Sequence, residues 1–198
     1  MAVKDKGKEK EYSQEEVSIV LSKTVVKVLF ETPFYGHILT QMKKIVSTVV
    51  PTLGVKMDRT VVMLEVNGQF FMLLTEEQKK EVLKHEILHV VLLHVLREKK
   101  YRFTEIFNYA ADMVVNQLIN ASCLPGAILP EVFGLPKGLA LDEYYNKLLQ
   151  RVAKELGIND TNCISNDLEK KINEKLKQLA KDAHIIDVHD FVDEGADE

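Results

Sequence analysis

The segment from Thr75 to Lys99 constrains the fold most, because it combines a strong helix start with a largely apolar stretch from Val82 to Leu93. Thr75 and Gln78 form the pattern of a capping box, and no glycine or proline interrupts the chain as far as Lys99. Aliphatic residues fall on nearly all sides of this helix, which is typical of a helix in the centre of a core. The sequence therefore predicts one long buried helix over residues 75–99.

Within this stretch His85, Glu86 and His89 form the pattern HExxH. Residues four apart lie on one face of a helix, so both imidazoles can reach a single point. Imidazole nitrogens are good Zn²⁺ ligands, and Glu86 stands where a base for an activated water is needed. The pattern predicts metal-assisted hydrolysis. The alternative is a buried helix whose histidines hydrogen-bond within the core, although burying them without partners is costly.

A catalytic zinc site usually has three protein ligands, so a third must come from elsewhere. His94 follows His89 by five residues, about 140° around a continuous helix, so we expect it in the core or behind the ligands. In the next predicted helix, Asn108, Asp112 and Asn116 are spaced by four along one face. We favour Asp112 as the third ligand, because a carboxylate binds zinc better than an amide. Two alternatives stay open: Asn108 as a weak ligand with Asp112 behind a histidine, or His94.

The rest of the chain predicts an α+β, mainly helical fold. Helices are expected at about 14–31, 34–49, 104–121, 141–156 and 166–181. VVMLEV and QFFMLL flank Asn67-Gly68, the strongest short signal for a two-residue β-hairpin, so a hairpin should precede the HExxH helix. An exposed strand edge there can hold an extended peptide. The loop from Pro125 to Gly138 is long enough to predict a cleft wall or lid.

Length and composition fit one globular domain with flexible ends, since the chain has 198 residues, 46% hydrophobic and 28% charged. We expect a disordered basic N-terminus over 1–12, a central domain over 13–156, and a charged helix with an acidic tail over 157–198. The net charge of −4 gives no reason to expect nucleic-acid binding. With two cysteines, no signal peptide and no apolar run of ~20 residues, we expect a cytoplasmic protein without a membrane partner.

Three segments together carry a family resemblance: HEILHVVLLHVLR (85–97), NYAADMVVNQLI (108–119) and LPKGLALDEYYNKLL (135–149). This combination resembles the putative metallopeptidase domain family, a zincin-like domain often found ahead of a von Willebrand factor A-like domain. The resemblance covers about residues 14–150 and implies a zincin-like metallopeptidase fold with a metal site. Carried over by position, it points to the HExxH residues and Asp112. It also marks three family-pattern residues of unassigned role: His94, Arg97 and Asn116.

We therefore expect a zinc-dependent metallopeptidase that hydrolyses a peptide or protein substrate. His85, His89 and Asp112 would bind the zinc ion, and Glu86 would be the general base toward a zinc-activated water. An oxyanion donor is also needed, and its unranked candidates are Tyr101, Arg102, Tyr109, Tyr144 and Tyr145. The alternative is a catalytically inactive metal-binding interaction module, which would act with a partner protein, for example through the charged C-terminal helix.

Overall fold

The computed structural model describes residues 11–124, 126–158 and 166–182. The predictions for the basic N-terminus and the acidic tail fall mostly on residues 1–10 and 183–198, outside the described residues. The fold is α+β and mainly helical, as predicted. Its helices are α1 (Gln14–Glu31), α2 (Pro33–Gln41), α3 (Gly68–Leu73), α4 (Glu76–Val91), α5 (His94–Arg97), α6 (Thr104–Asn116), α7 (Leu141–Glu155) and α8 (Asn166–Asp182). Its strands are β1 (Lys43–Ser47), β2 (Leu53–Asp58) and β3 (Val61–Asn67).

Helices α1 and α2 precede the sheet in the chain and pack tightly against each other. Ser13 caps α1 through a capping box with Glu16, and α2 starts at Pro33, whose fixed φ suits the first turn of a helix. A Cβ at Gly36 would lie 2.2 Å from Cα of Leu29, so only glycine permits this close approach. The predicted helix over 34–49 is wrong in its second half, because α2 ends at Gln41 and the chain then enters β1.

The sheet has three strands in the order β1-β3-β2. Strand β1 pairs with β3 in parallel, and β2 pairs with β3 antiparallel, with Leu53 opposite Val66. The observed hairpin is β2–β3, whose turn contains Arg59 at φ 54°. The hairpin predicted around Asn67-Gly68 is wrong. Asn67 instead caps α3, since its Oδ1 accepts a hydrogen bond from the backbone N–H of Phe70 at 3.1 Å.

Two hydrophobic clusters fill the interior. One joins α1, α2, the sheet and α4, and its fully buried members include Val28, Leu64 and Leu83. The other joins α6, α7 and α8, and includes Leu148 and Leu176. Helix α8 therefore packs its apolar face on α6 and α7. Helices α4 and α6 belong to different clusters and face each other where the clusters meet.

Two further predictions require correction. The helix predicted over 104–121 is shorter, because α6 ends at Asn116. The loop from Pro125 to Gly138 is not a lid over the site; its described part packs Ile128 and Phe133 into the core around a short 3₁₀ helix. Among the described residues, no helix is both long and apolar enough to cross a membrane.

Candidate metal centre

Helix α4 supplies the histidine pair, and its start is fixed as the sequence predicts. Gln78 N–H donates to Thr75 Oγ1 at 3.3 Å, and Thr75 N–H donates to Gln78 Oε1 at 2.8 Å, so the capping box is complete. Ile87, between the two histidines, is fully buried and anchors that part of the helix in the core. His85 and His89 lie one turn apart and turn their Nε2 atoms toward each other, 3.0 Å apart.

Helix α6 brings Asp112 to the same point from the opposite side. Its Oδ1 lies 3.2 Å from Nε2 of His89 and 3.5 Å from Nε2 of His85. The three side chains form the one group of metal-ligating residues found within the described part of the chain. Asn108, the alternative ligand one turn earlier on α6, lines the same pocket but is exposed, whereas the Asp112 side chain is 15% exposed and lies within 3.5 Å of both Nε2 atoms.

The spacing of these three atoms fits a zinc ion. In a tetrahedral site with Zn–N distances of about 2.0–2.1 Å, neighbouring ligand atoms lie roughly 3.3 Å apart. The observed separations of 3.0, 3.2 and 3.5 Å bracket that value. Two imidazole nitrogens and one carboxylate oxygen are also a donor set that zinc accepts, and three protein ligands leave a fourth position for water.

The prediction of a single long helix over 75–99 is wrong, because the helix is interrupted between Val91 and His94. Leu93 adopts a left-handed conformation with φ 58° and ψ 27°, which a glycine would usually provide. This interruption turns His94 back toward the site. His94 therefore does not lie about 140° around the helix from His89, as it would on a continuous helix. Nδ1 of His94 lies 3.2 Å from Nδ1 of His89, on the ring edge that faces away from Asp112. His94 thus stands behind a histidine of the group.

A second side chain stands behind His85. Oδ1 of Asn116 lies 2.9 Å from Nδ1 of His85, and Nδ2 of Asn116 donates to the backbone carbonyl of Ile128 at 3.0 Å. The loop that was predicted as a lid therefore supports the site from behind, through Ile128. Asp112 and Asn116 are four residues apart on α6, so one helix face supplies both contacts, as the spacing predicts.

The site is electrostatically coupled. Burial lowers the pKa of His85, but the hydrogen bond and charge of Asp112 outweigh burial and raise this pKa to about 9. Burial acts to raise the pKa of Asp112, yet the hydrogen bonds from His85 and His89 hold it well below its usual range. Burial, together with the nearby His89 and Arg97, lowers the pKa of His94 to about 4. Without metal at neutral pH, His85 is thus protonated and paired with an ionised Asp112, and His94 is neutral.

The site opens into a pocket of about 250 Å³. Its walls come from α4, the α5 region, α6 and strand β2, whose Leu53, Gly54 and Val55 face the cavity. Glu86 lines the same pocket with 8% of its surface exposed. None of the described residues donates a hydrogen bond to its carboxylate, so that group remains available to a molecule in the pocket.

Residues 16–189 match the family described as "putative metallopeptidase domain". The chain belongs to this family. The match includes α4, α6 and α8, and therefore every element that carries or supports the histidine and aspartate group. No curated protein and no solved structure matches the chain.

Arg97, the remaining family-pattern residue, hydrogen-bonds two side chains outside the pocket. Its Nη2 donates at 3.0 Å to both the hydroxyl of Tyr101 and Oδ2 of Asp142, and the Tyr101 hydroxyl donates to the same carboxylate. This network joins the end of α5 and Tyr101, which follows it, to the first turn of α7. None of the five residues considered as oxyanion donors lines the pocket. The structure thus brings together the HExxH residues and Asp112, and leaves those candidates outside.

Two parts of the pocket were not found from the sequence. No element was predicted for strand β2, because GVKMD has no strong strand signal. Glu98 lines the pocket from the 3₁₀ turn after α5, at the end of the segment that was predicted as one long buried helix. Only the tertiary fold reveals these positions. Glu98 reaches the pocket because of the turn at Leu93, and β2 reaches it because of its pairing with β3.

Proposed function

We propose that this member of the putative metallopeptidase domain family is a zinc-dependent peptidase. His85, His89 and Asp112 would hold the ion, and Glu86 would be the general base. The observation that carries the proposal is the triangle of donor atoms at 3.0, 3.2 and 3.5 Å, with an uncommitted carboxylate in the same pocket. A bound Zn²⁺ would supply Lewis acidity and lower the pKa of a water toward ~7.

Glu86 provides the proton transfers that amide hydrolysis requires. Glu86 lines the pocket that also holds the donor triangle, and its carboxylate oxygens have no competing donor among the described residues. The carboxylate would accept a proton from the attacking water and then deliver it to the nitrogen of the departing amine. Proton transfers of this kind typically contribute about 10²–10⁴-fold to the rate.

Strand β2 supports an extended polypeptide as the substrate. It pairs with β3 on one side, and among the described residues no strand lies on its other side. Its first three residues, Leu53, Gly54 and Val55, line the pocket that holds the histidines. An extended segment that adds to this edge by backbone hydrogen bonds would therefore pass beside the donor triangle.

The first measurement is the metal content of protein purified without a histidine tag or added zinc. We expect about one zinc per chain. Protein that binds no divalent metal even after zinc is added would contradict the proposal.

The second measurement compares wild type with Glu86→Gln, using a library of quenched fluorescent peptides. The variant should keep its zinc and lose at least about 100-fold in hydrolysis, because the amide cannot accept the proton. Glu77→Gln is the matched control, since it makes the same change at an exposed position of α4, and it should retain both properties. Wild-type hydrolysis in Glu86→Gln would contradict the mechanism. Zinc binding without hydrolysis in wild type would favour the non-catalytic interaction module instead.

A further inference from the structure

Each histidine of the donor triangle has a second ring nitrogen, and both second nitrogens are occupied. Nδ1 of His85 faces Oδ1 of Asn116 at 2.9 Å, and Nδ1 of His89 faces Nδ1 of His94 at 3.2 Å. A neutral imidazole carries one hydrogen, on either Nδ1 or Nε2, and only the nitrogen without hydrogen can bind a metal. The partner of Nδ1 therefore decides whether Nε2 is available.

For His85 the hydrogen-bond pattern leaves one solution. The backbone carbonyl of Ile128 can only accept, so the Asn116 amide must turn its NH₂ group toward it. Oδ1 of Asn116 then faces His85, and a carbonyl oxygen can also only accept. Nδ1 of His85 must carry the hydrogen. Asn116 is 4% exposed, so water does not offer an alternative partner. A neutral His85 therefore presents Nε2 without a hydrogen.

The position of the hydrogen on His89 depends in the same way on His94. One of the two facing Nδ1 atoms must donate and the other must accept. If Nε2 of His89 belongs to the donor triangle, Nδ1 of His89 carries the hydrogen and Nδ1 of His94 accepts it. His94 is 3% exposed and is held in place by the edge of Phe107, with ring centroids 6.2 Å apart. The left-handed turn at Leu93 brings His94 into this position.

We propose that Asn116 and His94 are positioning residues, which hold His85 and His89 in the tautomer and ring orientation that present both Nε2 atoms to one ion. The inference rests on the proposed zinc site and adds a role for two side chains that touch neither the ion nor the substrate. Outer hydrogen-bond partners of this kind typically contribute about 10–100-fold to metal affinity.

Zinc affinity, measured by competition with a chromophoric chelator, tests the proposal in three variants. Asn116→Leu and His94→Phe keep the approximate shape but remove the acceptor, and each should weaken zinc binding about 10–100-fold. Asn116→Asp keeps an acceptor for His85 and loses the donor to Ile128, so it should destabilise the fold while zinc affinity stays within a few-fold. A merely structural role predicts the opposite for Asn116→Asp, with affinity falling as stability falls.

Gln117→Leu is the matched control, because it removes the neighbouring amide of the same segment. Gln117 hydrogen-bonds Met113, Tyr144 and Gly138, and does not contact either histidine. Its loss should lower stability and leave zinc affinity unchanged. If Asn116→Leu does not fold, Asn116→Ala and His94→Phe provide the same comparison.

Nitrogen-15 NMR of the zinc-loaded protein gives a readout that is independent of activity. Slowly exchanging Nδ1–H signals are expected for both His85 and His89 in wild type. His94→Phe should remove only the His89 signal, and Asn116→Leu only the His85 signal. Wild-type affinity in both acceptor-free variants, or a zinc-bound Nδ1 at either histidine, would overturn the inference and leave the zinc site intact. Absence of zinc binding in wild type would instead overturn the proposed function.

Discussion

Asp112 is the residue on which the choice of ligands depends. Its Oδ1 is within 3.5 Å of both Nε2 atoms, whereas Asn108 is exposed one turn away. We expect Asp112→Ala to lower zinc affinity by about 100-fold or more, since even outer partners contribute ~10–100-fold. Asn108→Ala, the matched change on the same helix, should stay within a few-fold. Competition titration with a chelator measures both, and a larger loss in Asn108→Ala would restore Asn108 as the ligand.

The His85–Asp112 pair also predicts how the stability of the metal-free protein depends on pH. The pKa of His85 is raised from 6.5 to about 9, so its contribution is complete below pH 6.5 and is lost as the pH rises through 9. The pKa of Asp112 is lowered from 3.8, so its contribution is present above that pH and is lost as the pH falls. Both shifts describe one interaction. The metal-free protein should be most stable between about pH 4 and 6.5.

Thermal unfolding at a series of pH values measures this dependence. We expect the melting temperature of metal-free protein to fall by roughly 6–12 °C between pH 6.5 and 9.5, since the raised pKa of His85 corresponds to about 3 kcal/mol and one kcal/mol to about 2–4 °C for a domain of this size. The zinc-loaded protein is the control, because its folded state already holds His85 deprotonated, and it should not show this decline. A metal-free protein that becomes more stable across the same range would contradict the pairing of His85 with Asp112.

At the scale of elements, the break between α4 and α5 depends on one strained residue. Leu93 is 55% exposed and left-handed, a conformation that costs a non-glycine residue about 1–2 kcal/mol. Leu93→Ile should lower the free energy of unfolding by a further ~1 kcal/mol, because a β-branched side chain is least compatible with positive φ. It should also weaken zinc binding, since His94 follows the turn. Leu93→Gly should be close to neutral, as relief of strain offsets the entropy of the unfolded glycine.

Leu96→Ile is the matched control for that prediction. Leu96 is similarly exposed but lies within the right-handed turn of α5, so a β-branched residue there meets no positive φ. Urea unfolding of the metal-free variants compares the two sites. Equal stability of Leu93→Ile and Leu96→Ile would mean that the left-handed turn does not hold in solution.

Elements whose boundaries are set locally could be predicted from the sequence. The capping boxes at Ser13 and Thr75 and the proline at position 33 place helix ends without reference to the rest of the chain. Asn67-Gly68 was misassigned because asparagine favours both a hairpin turn and a helix N-cap, and FFML fits either strand or helix. Strand β1 could not be found, since the strand with which it pairs, β3, is distant in sequence.

The site also divides into features set by local spacing, which could be predicted, and features set by tertiary packing, which could not. HExxH and Asp112 could be identified because four-residue spacing on a helix places side chains on one face. His94 reaches His89 through a left-handed turn that nothing in Leu92-Leu93 indicates, so its contact could not be derived from the continuous helix that the sequence predicted. The contacts of Asn116 with Ile128 and of β2 with the pocket arise from tertiary packing.

At the scale of the whole molecule, the site lies between two cores, so the position of Asp112 relative to the histidines depends on both. The second core extends past residue 156. Ile172 and Leu176 are fully buried against α6 and α7, and Lys175 pairs with Glu155 of α7 at 2.8 Å. The family match also continues to residue 189. These contacts favour a domain that includes α8, in place of one that ends at residue 156.

Leu176→Ala tests where the domain ends. Removing a fully buried leucine leaves a cavity and should lower the free energy of unfolding by about 2–5 kcal/mol. Lys177→Ala, the neighbouring exposed position, should change it by less than ~0.5 kcal/mol. Because α8 packs on α6, the cavity should also loosen Asp112, so zinc affinity should fall modestly in Leu176→Ala alone. Urea unfolding and chelator competition measure the two effects. If Leu176→Ala behaves like Lys177→Ala in both, α8 is an appendage, and the domain that holds the metal site ends before it.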